Sequence, residues 1–288
     1  AMGLTFLSGS HHAANSDDLQ EGDPVVVPAF GTEVGITDQL NERGCTVIDA
    51  TCGDVMSVWK RVRQNAREQV TSIIHGKAWH EETMATSSQA KAFENGHYLV
   101  VFDLEETDFV CRYITQGGDR EAFLTRFNGA MSEGFDPDRH LDAIGLANQT
   151  TMLRGETEEV QRRLRAAMIE KHGEDAFGEH FRFFDTICGA TQDRQDALRD
   201  LISRQMEFLL VVGGYHSSNK SHLDEIRAGA TDKDTFSGER QARYRFDSSD
   251  DVAYWGNDTL YTDDESMQEF WVYESYIRTD FKATVLPK

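Results

Sequence analysis

From Pro24 onward the chain alternates short apolar runs with longer amphipathic segments, and this alternation most restricts its fold. Strands are predicted over residues 25–29, 46–51, 72–75, 98–103, 144–147 and 208–212. Helices are predicted up to about residue 44, over 52–68, 81–90, 105–114, within 119–140, over 156–171 and 188–204, and after 217. Strands that alternate with helices are typical of parallel sheets with crossover connections. We therefore predict an α/β fold.

The two ends of the chain do not share this alternation. Residues 229–288 are rich in Asp, Ser, Thr and Gly, and one late strand is predicted over 270–273. The predicted division is a loose arm over 1–24, a partial first lobe over 25–70, a middle α/β lobe over 71–187, a last α/β lobe over 188–228, and an atypical acidic tail over 229–288.

The strongly acidic composition limits the classes of partner. A formal net charge of -21 over 288 residues argues against nucleic acids and anionic membranes as general partners. An anionic substrate must then be bound locally, by helix amides, hydroxyls and a few cations. No apolar run approaches the roughly 20 residues that span a bilayer, and no secretion signal is expected.

Cysteines stand at two of the turns between a predicted strand and a predicted helix. The start of a helix favours a thiolate, so Cys52 and Cys188 are candidates for metal ligands or reactive thiols. The alternative is that each is a small buried apolar residue. The four cysteines form no CxxC pair, which is typical of free thiols in a reducing compartment. Cys45 and Cys111 are interpreted as core residues.

The turn after the third predicted strand carries a histidine and a carboxylate two residues apart, His80 and Glu82. This pair could bind an anion and deliver a proton. The alternative is that His80 caps the turn while the acidic residues favour the helix dipole. Thr150 and Thr151 could likewise contact a substrate or cap a helix.

Small polar residues also follow the buried strand predicted over 208–212. Helix amides and hydroxyls at such a turn can bind an anion, and glycines there permit close approach of the backbone. Helix capping explains the same residues equally well. The candidates are Ser217, Ser218 and Asn219.

Together these turns resemble the 4-hydroxy-3-methylbut-2-enyl diphosphate reductase family, in its plant and cyanobacterial branch. The matching blocks occur in family order between about residues 24 and 226. They are Val-Val-Pro-Ala-Phe-Gly at 26–31, Asp-Ala-Thr-Cys at 49–52, Ile-His-Gly-Lys at 74–77, His-Glu-Glu-Thr at 80–83, Ala-Asn-Gln-Thr-Thr-Met-Leu at 147–153, Gly-Glu-Thr-Glu-Glu at 155–159, and the turns at 188 and 217.

The resemblance implies three pseudo-threefold α/β lobes of parallel sheet around a 4Fe–4S cluster, with one cysteine from each lobe. Cys52 and Cys188 would be two of these ligands. His80, Thr151 and the turn at 217–219 would bind the substrate, while Glu82 and Thr150 would deliver a proton. The implied reaction removes the substrate hydroxyl and gives isopentenyl and dimethylallyl diphosphate, in the methylerythritol phosphate pathway of isoprenoid synthesis. The implied electron donor is a ferredoxin-type protein. The implied location of the chain is a bacterial cytoplasm or a plastid stroma.

Two parts of the family pattern are not found. No cysteine precedes Cys45, and the family's closing Gly-Ala-Ser loop is not recognisable after residue 226. The first and last lobes are therefore expected to be incomplete or remodelled. Either the sequence is a truncated member, or it is a paralogue with changed chemistry, or Cys45 or Cys111 supplies the third ligand. The alternative functions are a cluster-less, non-catalytic diphosphate-binding paralogue and a zinc or thiol site at Cys52 and Cys188.

Overall fold

The computed structural model describes residues 5–7, 16–184 and 188–203, and the backbone of four strands between residues 241 and 285. The chain divides into two compact units, Ala1–Cys188 and Gly189–Lys288. The first unit contains β1 (Pro24–Val27), α1 (Val34–Glu42), β2 (Thr46–Asp49), α2 (Gly53–Arg67), β3 (Thr71–His75), α3 (Glu81–Lys91), β4 (Tyr98–Val101), α4 (Leu104–Gln116), α5 (Arg120–Arg126), α6 (Pro137–His140), β5 (Ile144–Asn148), α7 (Arg154–His172), α8 (Phe177–His180) and β6 (Phe181–Phe183).

The first unit is built around a four-stranded parallel sheet in the order β4-β3-β5-β6. Every residue of β3, β4 and β5 is buried. Continuous burial is expected where helices cover both faces of a parallel sheet. The predicted α/β fold with crossover helices is thereby confirmed.

Neighbouring residues in each strand pack against different helices, because side chains alternate between the faces of a sheet. Ile73 and Leu146 belong to a core cluster with Val160 and Leu164 of α7. Ile74 and Ala147 belong to a second cluster, whose helical members include Val58 and Val62 of α2. The helices thus fix the sheet from both sides and hold the ends of its strands in place.

A separate two-stranded parallel sheet joins β1 to β2, with Val25 opposite Val47. Val25 and Val27 are buried, whereas Val26 and Ile48 are 54% and 51% exposed. This small sheet leads directly into Cys52 and α2. Its connection to the middle of the unit includes the Val34 amide, which donates to Ser88 Oγ at 3.0 Å.

The second unit contains α9 (Gly189–Ile202), and an antiparallel sheet of β7 (Gln241–Phe246), β8 (Tyr261–Thr262), β9 (Gln268–Tyr273) and β10 (Ala283–Val285), in the order β10-β7-β9-β8. Of these four strands only β9 was anticipated from the sequence, whereas α9 matches the helix predicted over 188–204. The single helix expected within 119–140 is two short helices, α5 and α6, and β6 was not anticipated. The strand predicted over 208–212 lies outside the described residues. Within the described part of the chain, no helix is long and apolar enough to cross a membrane.

Candidate functional site

The carboxyl ends of β3 and β5 bring two of the predicted turns together. His75 at the end of β3 pairs with Asn148 at the end of β5, so the residues that follow both strands leave the same edge of the sheet. In parallel sheets this edge is where ligands bind. The turn after β3 contains His80 and Glu82, and the turn after β5 contains Thr150 and Thr151.

Glu82 lies in the first turn of α3 with 3% of its surface exposed. Its Oε1 accepts a hydrogen bond from the Thr150 backbone amide at 2.6 Å. Burial raises the pKa of the Glu82 carboxyl, against the opposing effect of backbone and side-chain hydrogen bonds from Thr150. A buried carboxyl with a raised pKa keeps its proton to higher pH and can act as a general acid.

His80 is the N-cap of α3, and its Nδ1 accepts from the Glu82 amide at 3.2 Å. Burial lowers the pKa of the imidazole; Lys77 also lowers it, and Glu81 raises it. A neutral imidazole that accepts at Nδ1 carries its proton on Nε2. His80 therefore caps the helix, as the alternative interpretation of the sequence proposed, and its Nε2–H is still a hydrogen-bond donor.

Gln149 connects the two turns, and sequence reasoning missed its role. Its buried Oε1 accepts from the Lys77 amide and from Thr83 Oγ1, each at 3.2 Å. Its Nε2 donates to Thr151 Oγ1 at 2.8 Å. A Cβ added to Gly76 would lie 2.9 Å from Gln149 Cβ, so the close approach of the turns requires glycine. The signal in the sequence was the position of Gln149, beside the two threonines already selected.

The two candidate cysteines occupy different places. The Cys188 amide donates to the Thr150 carbonyl oxygen at 3.2 Å, which holds the Cys188 backbone beside the turn after β5, and its side chain is half-buried. Cys52 is the exposed N-cap of α2, and its amide donates to the Ala29 carbonyl oxygen at 2.9 Å. Both occupy helix starts, as the sequence predicts. Ser217, Ser218 and Asn219 lie outside the described residues.

The described cysteines do not fit a complete 4Fe–4S cluster. Burial raises the pKa of the Cys111 thiol to about 12, and this side chain packs against the core. The Cys45 thiol donates to the Gln20 carbonyl oxygen at 3.8 Å. Among the described residues, three metal-binding donors gather at Asp142, His172 and His180, and no cysteine belongs to that group. The proposed replacement of the third ligand by Cys45 or Cys111 therefore finds no support in the geometry.

Comparison with known proteins gives a consistent result. The chain matches the family described as LytB protein over residues 1–249. The reductase named 4-hydroxy-3-methylbut-2-enyl diphosphate reductase from Thermosynechococcus vestitus is 49% identical over 225 residues, covering 78% of this chain and 55% of that protein. The protein of the same name from Prochlorococcus marinus is 50% identical over 225 residues, covering 78% and 54%. The chain thus spans about half the length of the curated relatives it matches.

A solved structure supports the fold. It is the E-1-hydroxy-2-methyl-but-2-enyl-4-diphosphate reductase from Plasmodium falciparum, with a TM-score of 0.52 and 22% sequence identity. The match covers 74% of this chain and 54% of that chain. At this identity the likeness concerns the fold alone. The resemblance stated from the sequence blocks is confirmed by the family match and by the cyanobacterial relatives.

Proposed function

Because the chain belongs to the LytB protein family, we propose that it acts in the reductive removal of the hydroxyl of 4-hydroxy-3-methylbut-2-enyl diphosphate. The reaction consumes two electrons and two protons, breaks the allylic C–O bond, forms a C–H bond and releases water. Its products are isopentenyl and dimethylallyl diphosphate. The observation that supports this proposal most directly is the buried Glu82 carboxyl bonded to Thr150 at the sheet edge.

Glu82 is the proposed proton donor to the departing hydroxyl. Hydroxide is a poor leaving group, and protonation converts it into water. Burial keeps the Glu82 carboxyl protonated to higher pH than an exposed glutamate, as its raised pKa indicates. Thr150 bonds to the same carboxyl and can relay the proton through its hydroxyl. This pairing fits general acid catalysis.

The diphosphate is proposed to bind at hydrogen-bond donors around the same edge. His80 offers its Nε2 proton, since its Nδ1 already accepts from the Glu82 amide. Donors of this kind suit an anion in a chain whose formal net charge is -21, because they bind locally without a broad basic surface. The proposed substrate-binding residues at this edge are His80 and Thr151, and the family resemblance adds Ser217, Ser218 and Asn219.

The electrons are proposed to come from an iron–sulfur cluster, for which Cys52 and Cys188 would be two ligands. A 4Fe–4S cluster with one iron open to substrate requires three thiolates. The described cysteines do not supply the third thiolate. The roles proposed for the residues of this chain are therefore proton delivery and anion binding. A ferredoxin-type protein is the proposed electron donor, in a bacterial cytoplasm or plastid stroma.

The test combines metal content, substrate binding and turnover. The full chain is purified anaerobically and supplied with iron and sulfide, and its iron and sulfide contents are measured. Binding of 4-hydroxy-3-methylbut-2-enyl diphosphate is then measured by calorimetry, and product formation is followed with a reduced dye as electron donor. Glu82→Gln should lower turnover by about 10²–10⁴-fold, the usual contribution of a general acid, with much smaller change in binding.

Glu81→Gln is the matched control, because it removes a carboxyl from the same helical turn without touching Thr150. It should retain turnover within a small factor. Substrate binding without iron or turnover would reject the reductase and leave the cluster-less diphosphate-binding protein. Stoichiometric zinc without iron, lost when Cys52 and Cys188 are replaced by Ser, would favour the thiol site instead. Equal losses in both variants would refute the role assigned to Glu82.

A further inference from the structure

Three metal-binding side chains meet at the edge of the central sheet opposite the candidate site. Asp142 precedes β5, His172 ends α7, and His180 ends α8 immediately before β6. Because β5 and β6 are parallel, their amino ends lie at the same edge, a strand length away from Gln149. This group takes no part in the proposed reductase chemistry.

The donor atoms of this group already have spacings suited to one ion. His172 Nε2 lies 3.7 Å from Asp142 Oδ1, and His180 Nδ1 lies 3.4 Å from Asp142 Oδ2. All three donors lie within 4.8 Å of one another. Bonds of 2.0–2.1 Å at tetrahedral angles place two ligand atoms about 3.3 Å apart. The observed distances therefore need only small adjustment.

The rings require a modest rotation before both can bind. The two imidazoles are stacked, with centroids 3.7 Å apart and planes 10° apart, so their lone pairs lie in nearly parallel planes and do not meet at one point. His180 Nδ1 also lies 2.9 Å from the Asp142 carbonyl oxygen, which only accepts, so metal binding at Nδ1 requires this hydrogen bond to break and the ring proton to move to Nε2. The His180 and Asp142 side chains are 27% and 53% exposed, so both can move and an ion can reach them.

The chemistry and charge of the group also favour a cation. His172 Nε2 is buried and has no hydrogen-bond partner among the described residues. His172 is also the last residue of the 19-residue α7, whose carboxyl end carries negative partial charge.

We propose that Asp142, His172 and His180 bind a divalent transition-metal ion, with Zn²⁺ as the probe. Two imidazoles and one carboxylate are a donor set that such ions prefer. The ion would join the end of α7 to α8 and to the start of β5. It would thereby fasten the edge strand β6, which follows α8 without a gap.

Lys171 competes for the same carboxylate, since its Nζ lies 3.2 Å from Asp142 Oδ1. This contact makes a specific prediction possible. Replacing Lys171 with Gln removes a positive charge and a competing donor, so the metal should bind more tightly. A site unrelated to Asp142 would not respond to this change.

The test is a Zn²⁺ titration of the full chain by calorimetry, repeated with Co²⁺ to identify the ligands by absorption. Imidazole and carboxylate ligands give no thiolate charge-transfer band, which separates this site from the cysteines. Asp142→Asn and His172→Gln/His180→Gln should each weaken binding by at least about 10-fold, since even outer partners of metal ligands contribute 10–100-fold. Asp142→Asn alters a half-exposed residue, so it remains informative if the double variant fails to fold.

The stacked pair His97 and His140 provides the control. Its ring centroids are 3.6 Å apart, and its Nδ1 atoms contact Ser132 Oγ and the Asp136 amide at 2.9 Å each. His97→Gln/His140→Gln should leave Zn²⁺ affinity unchanged. The proposal is overturned if wild-type protein binds these ions only with a thiolate band, or if binding survives both changes in the Asp142 group.

Discussion

Replacing Gln149 with Leu tests whether one buried amide holds the two turns of the candidate site together. Leucine has similar volume, so the main loss is of hydrogen bonds rather than of packing. The change removes the acceptor shared by the Lys77 amide and Thr83 Oγ1, and the donor to Thr151 Oγ1. We expect the free energy of unfolding to fall.

The magnitude follows from the groups left without partners. A buried donor that loses its acceptor costs about 1–3 kcal/mol. The Lys77 amide is only partly buried and can take a water molecule, so two donors together should cost about 2–4 kcal/mol, at the lower end of their sum. The measurement is urea denaturation, with the free energy of unfolding extrapolated to water.

A double-mutant cycle with Thr83→Val isolates the contact itself. Removing both partners of a buried hydrogen bond costs less than the sum of the single changes, because neither group is left unpaired. Gln149→Leu/Thr83→Val should therefore be less destabilised than additivity predicts, by about 0.5–1.5 kcal/mol, the usual net contribution of one hydrogen bond. Additive losses, or a Gln149→Leu variant within about 0.5 kcal/mol of wild type, would refute the assigned role.

Two further predictions concern ionisable groups. Burial raises the pKa of the Glu82 carboxyl above its usual 4.5, so the folded state binds this proton more tightly than the unfolded chain does. The protonated carboxyl therefore contributes to stability below pH 4.5, and this contribution is lost as the pH rises through the folded-state pKa. Glu82→Gln should thus gain stability relative to wild type as pH increases from 4.5 in urea titrations, and a constant difference would contradict this reasoning. Alkylation with iodoacetamide, followed by mass spectrometry, should modify exposed Cys52 well before Cys111, whose thiol has a pKa of about 12; equal rates would contradict the described burial.

The buried strands were predictable because their residues are both apolar and bounded by turns. Ile73, Ile74 and their counterparts in β4 and β5 belong to short runs that end at Gly, Asp or Asn. Such runs identify strands even without an alternating pattern, since helices cover both faces. The predicted bounds differ from the observed ones by one or two residues. The turns that carry His80, Glu82 and Thr150 were found for the same reason, since they follow these runs.

Other features depend on contacts that local patterns do not encode. The Gln149 amide bonds to residues 66 and 72 positions earlier in the chain, and nothing within the run 148–151 specifies these partners. Asp142, His172 and His180 likewise come from three separate segments. The strand β7 was missed although its residues alternate between polar and apolar, and β8 and β10, of two and three residues, are too short to show a period. Long-range packing selected these arrangements.

The proposed position of Glu82 beside a bound anion would also keep the carboxyl protonated until it transfers its proton. The start of α3 favours a carboxylate and by itself would lower the pKa of Glu82, yet burial outweighs it and the pKa is raised. A diphosphate held near His80, as proposed, would add negative charge and so disfavour a second negative charge on Glu82. Substrate binding and Glu82 protonation should therefore favour each other, because coupling between two sites is reciprocal. The carboxyl would keep its proton through binding and release it when the departing oxygen becomes the stronger base.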